Sequence, residues 1–363
     1  MRLFFVLVLC CLSALEAAKD DISIKTGYFP QSVYLEATSG GGFLNFDCMF
    51  KPIKAGKVFI VLFHYLDREG NVLLIRRLAP NPPFENVGIH LAVFTPGKGP
   101  VLHQNSFQAG DSVFIAHPFE QVPAHFLVKR VKCQIILVNE DQSYEELEIQ
   151  VPVSKHRPKS AFYPPFDETW IHLQGHDLRA HHRQIYYHRN SNYFAIDFLK
   201  IDSSGELVRP GRDGTKLSDF YSYGAKVLSP GDGVVVQILD RFEDAPIGGR
   251  AKDLDPNFPG GNHILIQHEP NLFSYLAHLQ KGSFLVQVGD KVKTAQELAL
   301  CGNSGNSDAP HIHFHQVPEA KTNLLTVHGL PIIFRKFQTR VGDRNMVHQK
   351  LGSFPGEVIL GQK

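Results

Sequence analysis

A chain of 363 residues, 43% apolar and 20% charged, is too long for one small module and can bury a sizeable core, so two domains are expected. A formal net charge of +1 gives no polybasic surface, so neither nucleic acid nor an anionic membrane is expected as a partner. The anomaly in the composition is histidine: there are 19, and many crowd into residues 171–188 and 262–315.

Residues 1–18 read as a secretory signal, with Arg2 at the start, an apolar run over 3–12 and small residues at Ala17 and Ala18 for cleavage. The apolar run is too short for a transmembrane helix, and no later segment is apolar enough to span a bilayer. An exported protein without membrane insertion is therefore expected, extracellular or, in a bacterium, periplasmic. Removal of Cys10 and Cys11 leaves Cys48, Cys133 and Cys301. In an oxidising compartment Cys48–Cys133 is the expected pair, because both sit in strand-like runs of the same region. Cys301 then remains a thiol beside Leu298, Ala299 and Leu300; a zinc ligand is the lesser reading, since it has no CxxC partner.

Residues 19–153 read as β throughout. The runs 57–65 (KVFIVLFHY), 72–77 (VLLIRR), 131–139 (VKCQIILVN) and 145–151 are rich in Val, Ile, Leu and Phe and are separated by Gly/Pro turns. Short strands at this spacing suggest an immunoglobulin-like β-sandwich acting as an accessory domain, with the cysteine pair joining its sheets. His64, His90, His103, His117 and His125 lack metal-ligand spacing. Residues 154–165 (SKHRPKSAFYPP) read as a linker.

From residue 166 the chain turns rich in Gly, His and Asp, and residues 166–340 read as a second, mostly antiparallel domain. Residues 180–187 and 193–201 flank a polar turn and suggest a hairpin, whose register sets Asp197 opposite His182 or Arg183. A His and an Asp so opposed can share one ion; His188, in the turn, is the alternative to His182. Asp197 lies within FAIDF, where a carboxylate is costly unless a cation pairs with it. Residues 223–238 read as strand, tight turn, strand; 240–259 as a long loop able to wall a groove; 261–268 and 273–279 as strands, the latter ending at His278. His263 and His268 could belong to the site, with exposed strand-end residues the commoner outcome. Residues 341–363 read as a loosely held tail.

The stretch 301–315, CGNSGNSDAPHIHFH, carries the strongest signal. After a Gly/Asn/Ser turn, His311, His313 and His315 alternate with Ile312 and Phe314, so a strand puts all three imidazoles on one face. Two residues along a strand is roughly 6.6 Å, which is too far for His315 to share an ion with His313 easily.

Taken in order, HHR at 181–183, FAIDF at 194–198, GDGVV at 231–235, GN at 261–262, YLAHL at 275–279, VGDKV at 288–292 and GNSGNSDAPHIHF at 302–314 resemble the zinc metallopeptidases of the lysostaphin/LytM type, peptidase family M23. The resemblance covers the half of the chain after the linker and implies a barrel-sandwich-like β-sheet domain holding one Zn²⁺. It implies His182, Asp197 and His313 as metal ligands and His278 and His311 as the catalytic pair. His311 is then the general base and His278 orients water or stabilises the oxyanion, two roles open to exchange. The implied activity is a secreted endopeptidase attacking a peptide bond with zinc-activated water, its substrate a peptide or the peptide part of bacterial peptidoglycan. In departure from the family pattern, Ile312 replaces Leu, Thr294 and Ala295 replace a glycine-containing turn, His315 stands at a position otherwise polar or acidic, and His182 and Asp197 are more widely spaced than in the compact HxxxD form. Two other readings use the same residues: a catalytically silent zinc-bearing binding or signalling protein, and, from GDKV-x-x-x-x-ELA, a carrier-type domain that needs no metal.

Overall fold

The computed structural model of the chain describes residues 24–28, 33–39, 41–44, 46–78, 90–98, 100–102, 104–116, 120–123, 126–175, 182, 191–249, 251–321 and 327–362. The class is all-β, as the alternating apolar runs imply: the described regular elements are strands, with short 3-10 turns at Ser191–Phe194 and Leu217–Asp219. No helix among these residues is long and apolar enough to cross a membrane. The leader-like residues 1–18 lie outside the described residues.

Chain contacts divide the molecule into two units. The first takes in residues 1–33, 45–120 and 124–154. It contains an antiparallel sheet in the order Ile24–Tyr28, Asp47–Pro52, Ser112–Ala116, His90–Phe94, Pro100–Leu102. A second sheet runs Val72–Leu78, Gly56–Leu66, Arg130–Asn139, Tyr144–Ser154. Period-2 alternation sends Val131, Cys133, Ile135 and Leu137 to the buried face, with Val58, Val61, Phe63 and Tyr65 beside them.

The expected Cys48–Cys133 bridge is not formed. Cys48 sits opposite Ile115 in the first sheet and Cys133 opposite Phe63 in the second, both buried and not bonded to each other. A bridge between sheets needs Cα atoms within about 7 Å and Cβ vectors that converge. Membership of one β region does not supply that.

The second unit takes in residues 34–44, 121–123 and 155–363. Its centre is a ten-stranded sheet in the order Lys291–Val292, Gly233–Leu239, His263–Glu269, Leu272–Ala277, Ile312–Val317, Ile196–Lys200, Thr169–Gln174, Val358–Leu360, Phe334–Val341, Arg344–Leu351. Every pairing resolved along it is antiparallel. Lys226–Leu228 pairs with Glu297–Leu300 as a separate two-stranded ladder. One face of the large sheet packs into a core of Ile196, Phe198, Leu276, Ile312, Phe314 and Trp170, among others. The opposite face of the three middle strands carries Asp197, Tyr275, His313 and His315, also buried.

Three sequence expectations meet the structure here. Within residues 154–165, read as a linker, Phe162 is fully buried, and its carbonyl accepts from the Arg335 backbone N–H at 2.8 Å. The aromatic content of AFYPP explains this, because exposing those rings would forgo their burial energy. The tail is not loose. Arg344–Leu351 pairs along Phe334–Val341, and Val358–Leu360 inserts between that strand and Thr169–Gln174, with Ile359 fully buried. Its VIL triplet is short but meets two unpaired strand edges, which longer-range pairing rewards and local sequence does not advertise. The hairpin expected over 180–201 is absent in the form expected: its first arm lies outside the described residues except for His182, and Asp197 pairs instead with Gln174 and His313.

If the C-terminal strand is part of this core, Ile359→Ala should lower unfolding stability by about 2–5 kcal/mol, as for other buried Ile truncations. Urea unfolding of the full chain measures this; an unchanged midpoint would mean that the strand is peripheral.

Candidate metal centre

The site is built on three adjacent strands and two turns. Antiparallel register sets His313 directly opposite Asp197 on one side and Ala277 on the other. The next residue along from Ala277 is His278, so strand order alone brings His278, His313 and Asp197 to one level of the sheet. His311 enters from the turn just before Ile312–Val317.

Asp197 is the hub. Its Oδ2 lies 3.2 Å from His182 Nε2; its Oδ1 lies 3.0 Å from His313 Nδ1 and 3.4 Å from His311 Nε2. The His278 and His311 rings are 4.5 Å apart, and the His182 and His313 rings 4.9 Å apart. Two sets of donor atoms are mutually close enough to hold a metal: His182, Asp197 and His313, and His278, His311 and His313. Each of these side chains is buried except His311, which is partly exposed.

Each ring is oriented from behind. His182 Nδ1 donates to the Gly175 carbonyl at 2.8 Å, His278 Nδ1 to the Ser304 carbonyl at 2.7 Å and His311 Nδ1 to the Ala309 carbonyl at 2.8 Å. A carbonyl can only accept, so in all three the proton is on Nδ1 and the Nε2 lone pair faces the site. His278 has φ of 60°, a conformation that costs a non-glycine residue energy and persists only where the surroundings over-determine it. They do: its N–H donates to the Gly260 carbonyl at 2.9 Å, and its carbonyl accepts from Gly302 N–H at 3.0 Å.

The GN and GNSG motifs form this backing. Gly261 and Gly305 both have positive φ and approach so closely that a Cβ on Gly305 would come within 2.4 Å of the Gly261 nitrogen. Asn262, fully buried, accepts from the N–H groups of Arg241 and Phe242 and donates to the carbonyls of Phe242 and Leu279, at 2.8–3.1 Å. It thereby ties the start of the 240–259 loop, which was expected to wall a groove, to the segment that bears His278. The same loop meets the 302–309 turn through Ala245 N–H to the Asn303 carbonyl, 2.9 Å, and Gly248 N–H to the Asp308 carbonyl, 2.8 Å.

Burial alone would raise the Asp197 carboxyl, but the charges and hydrogen bonds of His182 and His311 outweigh it and hold the group well below its ordinary value. For His182 and His311 burial is likewise overcome by Asp197, and both are raised. His278 is lowered well below the usual imidazole value, first by burial and then by His311 and His313. Burial lowers His313 despite Asp197. The carboxylate thus favours positive charge beside it, and a dication bound at the Nε2 lone pairs would supply that charge in place of protons.

The donor set fits zinc. Two imidazole nitrogens and one carboxylate converge from buried positions: His313 Nδ1 lies 3.0 Å from one oxygen of Asp197 and His182 Nε2 3.2 Å from the other, and nitrogen and carboxylate oxygen are the donors zinc takes. Three protein ligands would leave a fourth position for water or substrate.

The structure thus brings together all five residues singled out from the sequence, His182, Asp197, His278, His311 and His313. His182 arrives from a helical residue, not from a strand opposite Asp197. His188 lies outside the described residues. His263, expected to be exposed, is buried against Tyr275 with ring centroids 4.8 Å apart. Cys301 is a buried thiol in the core beside Leu298 and Ala299 and belongs to neither donor set found among the described residues. Tyr275 and Ser304 were missed; Tyr275 was legible only as strand-forming, and a backbone carbonyl has no sequence signature.

Residues 213–323 match the model of Peptidase family M23, so the chain carries an M23 peptidase domain. That span includes His278, His311 and His313 but neither His182 nor Asp197. Among curated relatives, an uncharacterized metalloprotease of Buchnera aphidicola is 35% identical over 91 residues, 25% of this chain and 19% of the relative. Glycyl-glycine endopeptidase ALE-1 of Staphylococcus capitis is 35% identical over 78 residues, 21% of each. Peptidoglycan DD-endopeptidase ShyA of Vibrio cholerae is 33% identical over 95 residues, 26% of this chain and 18% of the relative. The chain thus spans about a fifth of the length of the curated relatives it matches. Among solved structures, the lysostaphin catalytic domain of Staphylococcus simulans aligns over 46% of this chain and 84% of its own, at 20% identity and a TM-score of 0.25.

Asn262 bonds four backbone groups, and Ser304 Oγ still serves the Leu279 carbonyl without it. Asn262→Ala therefore strands the N–H groups of Arg241 and Phe242 and the Phe242 carbonyl, and should cost about 3 kcal/mol, taking about 1–3 kcal/mol for each stranded group. Chemical denaturation tests this; a loss below about 1 kcal/mol would show that the loop closes without it.

Proposed function

We propose that this chain is a zinc metalloendopeptidase that hydrolyses peptide bonds, with the peptide part of bacterial peptidoglycan as its substrate. The observation that carries the proposal is the convergence of His182, His311 and His313 on Asp197 within 3.0–3.4 Å, with His278 against His311. The names of ALE-1 and ShyA, which describe endopeptidases, one of them acting on peptidoglycan, support the substrate class.

His182 Nε2, an oxygen of Asp197 and His313 Nδ1 would hold the metal. When bound, zinc supplies Lewis acidity, bringing the pKa of a water to about 7 and drawing charge from a polarised carbonyl oxygen. The other residues handle protons and position. His311 is the partly exposed imidazole and turns its Nε2 lone pair into the site, so it is the general base that accepts the proton of the attacking water and returns it to the leaving amine. The Ala309 carbonyl keeps its other proton fixed during that exchange. His278, neutral and aimed the same way, accepts a hydrogen bond and so orients the water. An exported location belongs to the same proposal, since peptidoglycan lies outside the cytoplasm.

The test uses purified full-length protein on isolated peptidoglycan. His311→Ala should lower peptide release by about 10²–10⁴-fold, the usual weight of a general base, while one zinc per chain is retained. Equal rates for wild type and variant would overturn the proposal. Chelation should abolish release and added zinc should restore it; release that persists in the zinc-free protein would contradict the metal assignment.

A further inference from the structure

Four imidazoles turn a nitrogen into the centre, and one is held differently. Backbone carbonyls hold His182, His278 and His311 at Nδ1, so each presents Nε2. His313 is reversed: Nδ1 faces Asp197 at 3.0 Å, and Nε2 faces Nδ1 of His315 at 2.9 Å. His313 can offer a lone pair at Nδ1 only if its proton is on Nε2, and there an acceptor must receive it. The group in position to do so is the His315 ring.

His315 is itself set rigidly. It is 2% exposed, register places it opposite Tyr275, and the two rings stack at 4.6 Å with 20° between their planes. Beyond Tyr275 lies the buried His263 ring, whose Nδ1 donates to the Gly261 carbonyl at 2.9 Å. The far nitrogen of His315, Nε2, is buried without a hydrogen-bond partner. An unpaired buried N–H is a cost to folding, so a leucine here would suit the core better than this imidazole does. What the imidazole supplies in return is Nδ1 beside His313.

We propose that His315 is a positioning residue for the metal ligand His313: its Nδ1 accepts the His313 Nε2 proton, fixing the ring and the tautomer that present Nδ1 to the cation. This rests on the zinc reading above and adds to it a residue outside the ligand set and outside the catalytic pair. It also accounts for the geometry along the strand. His315 is too far along to share the ion, yet its ring leans back far enough to hold the ligand that does.

The experiment is a zinc titration of the purified full-length chain against a chromogenic chelator, with thermal melts of the metal-free proteins alongside. His315→Leu keeps the bulk and removes the acceptor; it should weaken zinc binding by about 10–100-fold, the usual effect of losing such a partner, with the metal-free melting temperature unchanged or raised. His315→Gln offers a carbonyl oxygen to the same proton and should hold zinc much as wild type does. Equal zinc affinity for wild type and His315→Leu would overturn the proposal. So would a His315→Gln variant as weak as His315→Leu, because packing and not the hydrogen bond would then be responsible. If His315→Leu fails to fold, the glutamine variant decides. A wild-type chain that takes up no zinc would sink the metal reading itself, a result distinct from either of these.

Discussion

One buried carboxylate governs this molecule's second unit. Asp197 lies in the middle of a ten-stranded sheet, flanked by Ile196 and Phe198 that point into the core on the other side. A negative charge in that position is tolerable only if positive charge meets it, and the fold brings imidazoles from His182, His311 and His313 to do so. Period-2 geometry makes the arrangement economical: the residues that build the core and those that build the site alternate along the same strands. Any change in register by one residue would exchange the two sets and lose both.

Around that charge, the chain uses backbone to aim side chains. Gly175, Ser304 and Ala309 give carbonyl oxygens to the rear nitrogens of the rings, and none of these three residues needs a functional side chain for the purpose. The turns that carry the carbonyls are held by glycines at close approach, by the left-handed backbone of His278 and by the fully bonded Asn262. The GN and GNSGNS motifs are therefore scaffolding, placed so that three imidazoles have no freedom in which nitrogen they show. His313 lacks such a carbonyl and has the His315 ring instead.

Much of this was legible in the residues and some was not. Alternation in HIHFH put His311, His313 and His315 on one side, and the apolar setting of FAIDF marked Asp197 as a charge needing a partner. Both are short-range properties that a strand enforces. His182 was reached by a wrong route: a hairpin register counted from a local turn, where the structure pairs Asp197 with Gln174 and His313 and brings His182 in from a helical residue. Long-range pairing also hid the Val358–Leu360 strand, which earns its place from two distant neighbours and not from its own sequence. The cysteine pairing failed for a related reason, since a shared β region does not bring two particular Cα atoms within bonding range. The contact between His313 and His315 depended on ring orientation, which backbone spacing along the strand does not reveal.

The account stands on what surrounds a metal at Asp197, and zinc-edge X-ray absorption on the purified full-length chain measures that directly. It predicts one zinc in a shell of nitrogen and oxygen at about 2.0–2.1 Å, with the outer scattering of two imidazoles and no sulfur. A sulfur shell near about 2.3 Å, a first shell without imidazole, or no zinc retained would contradict it.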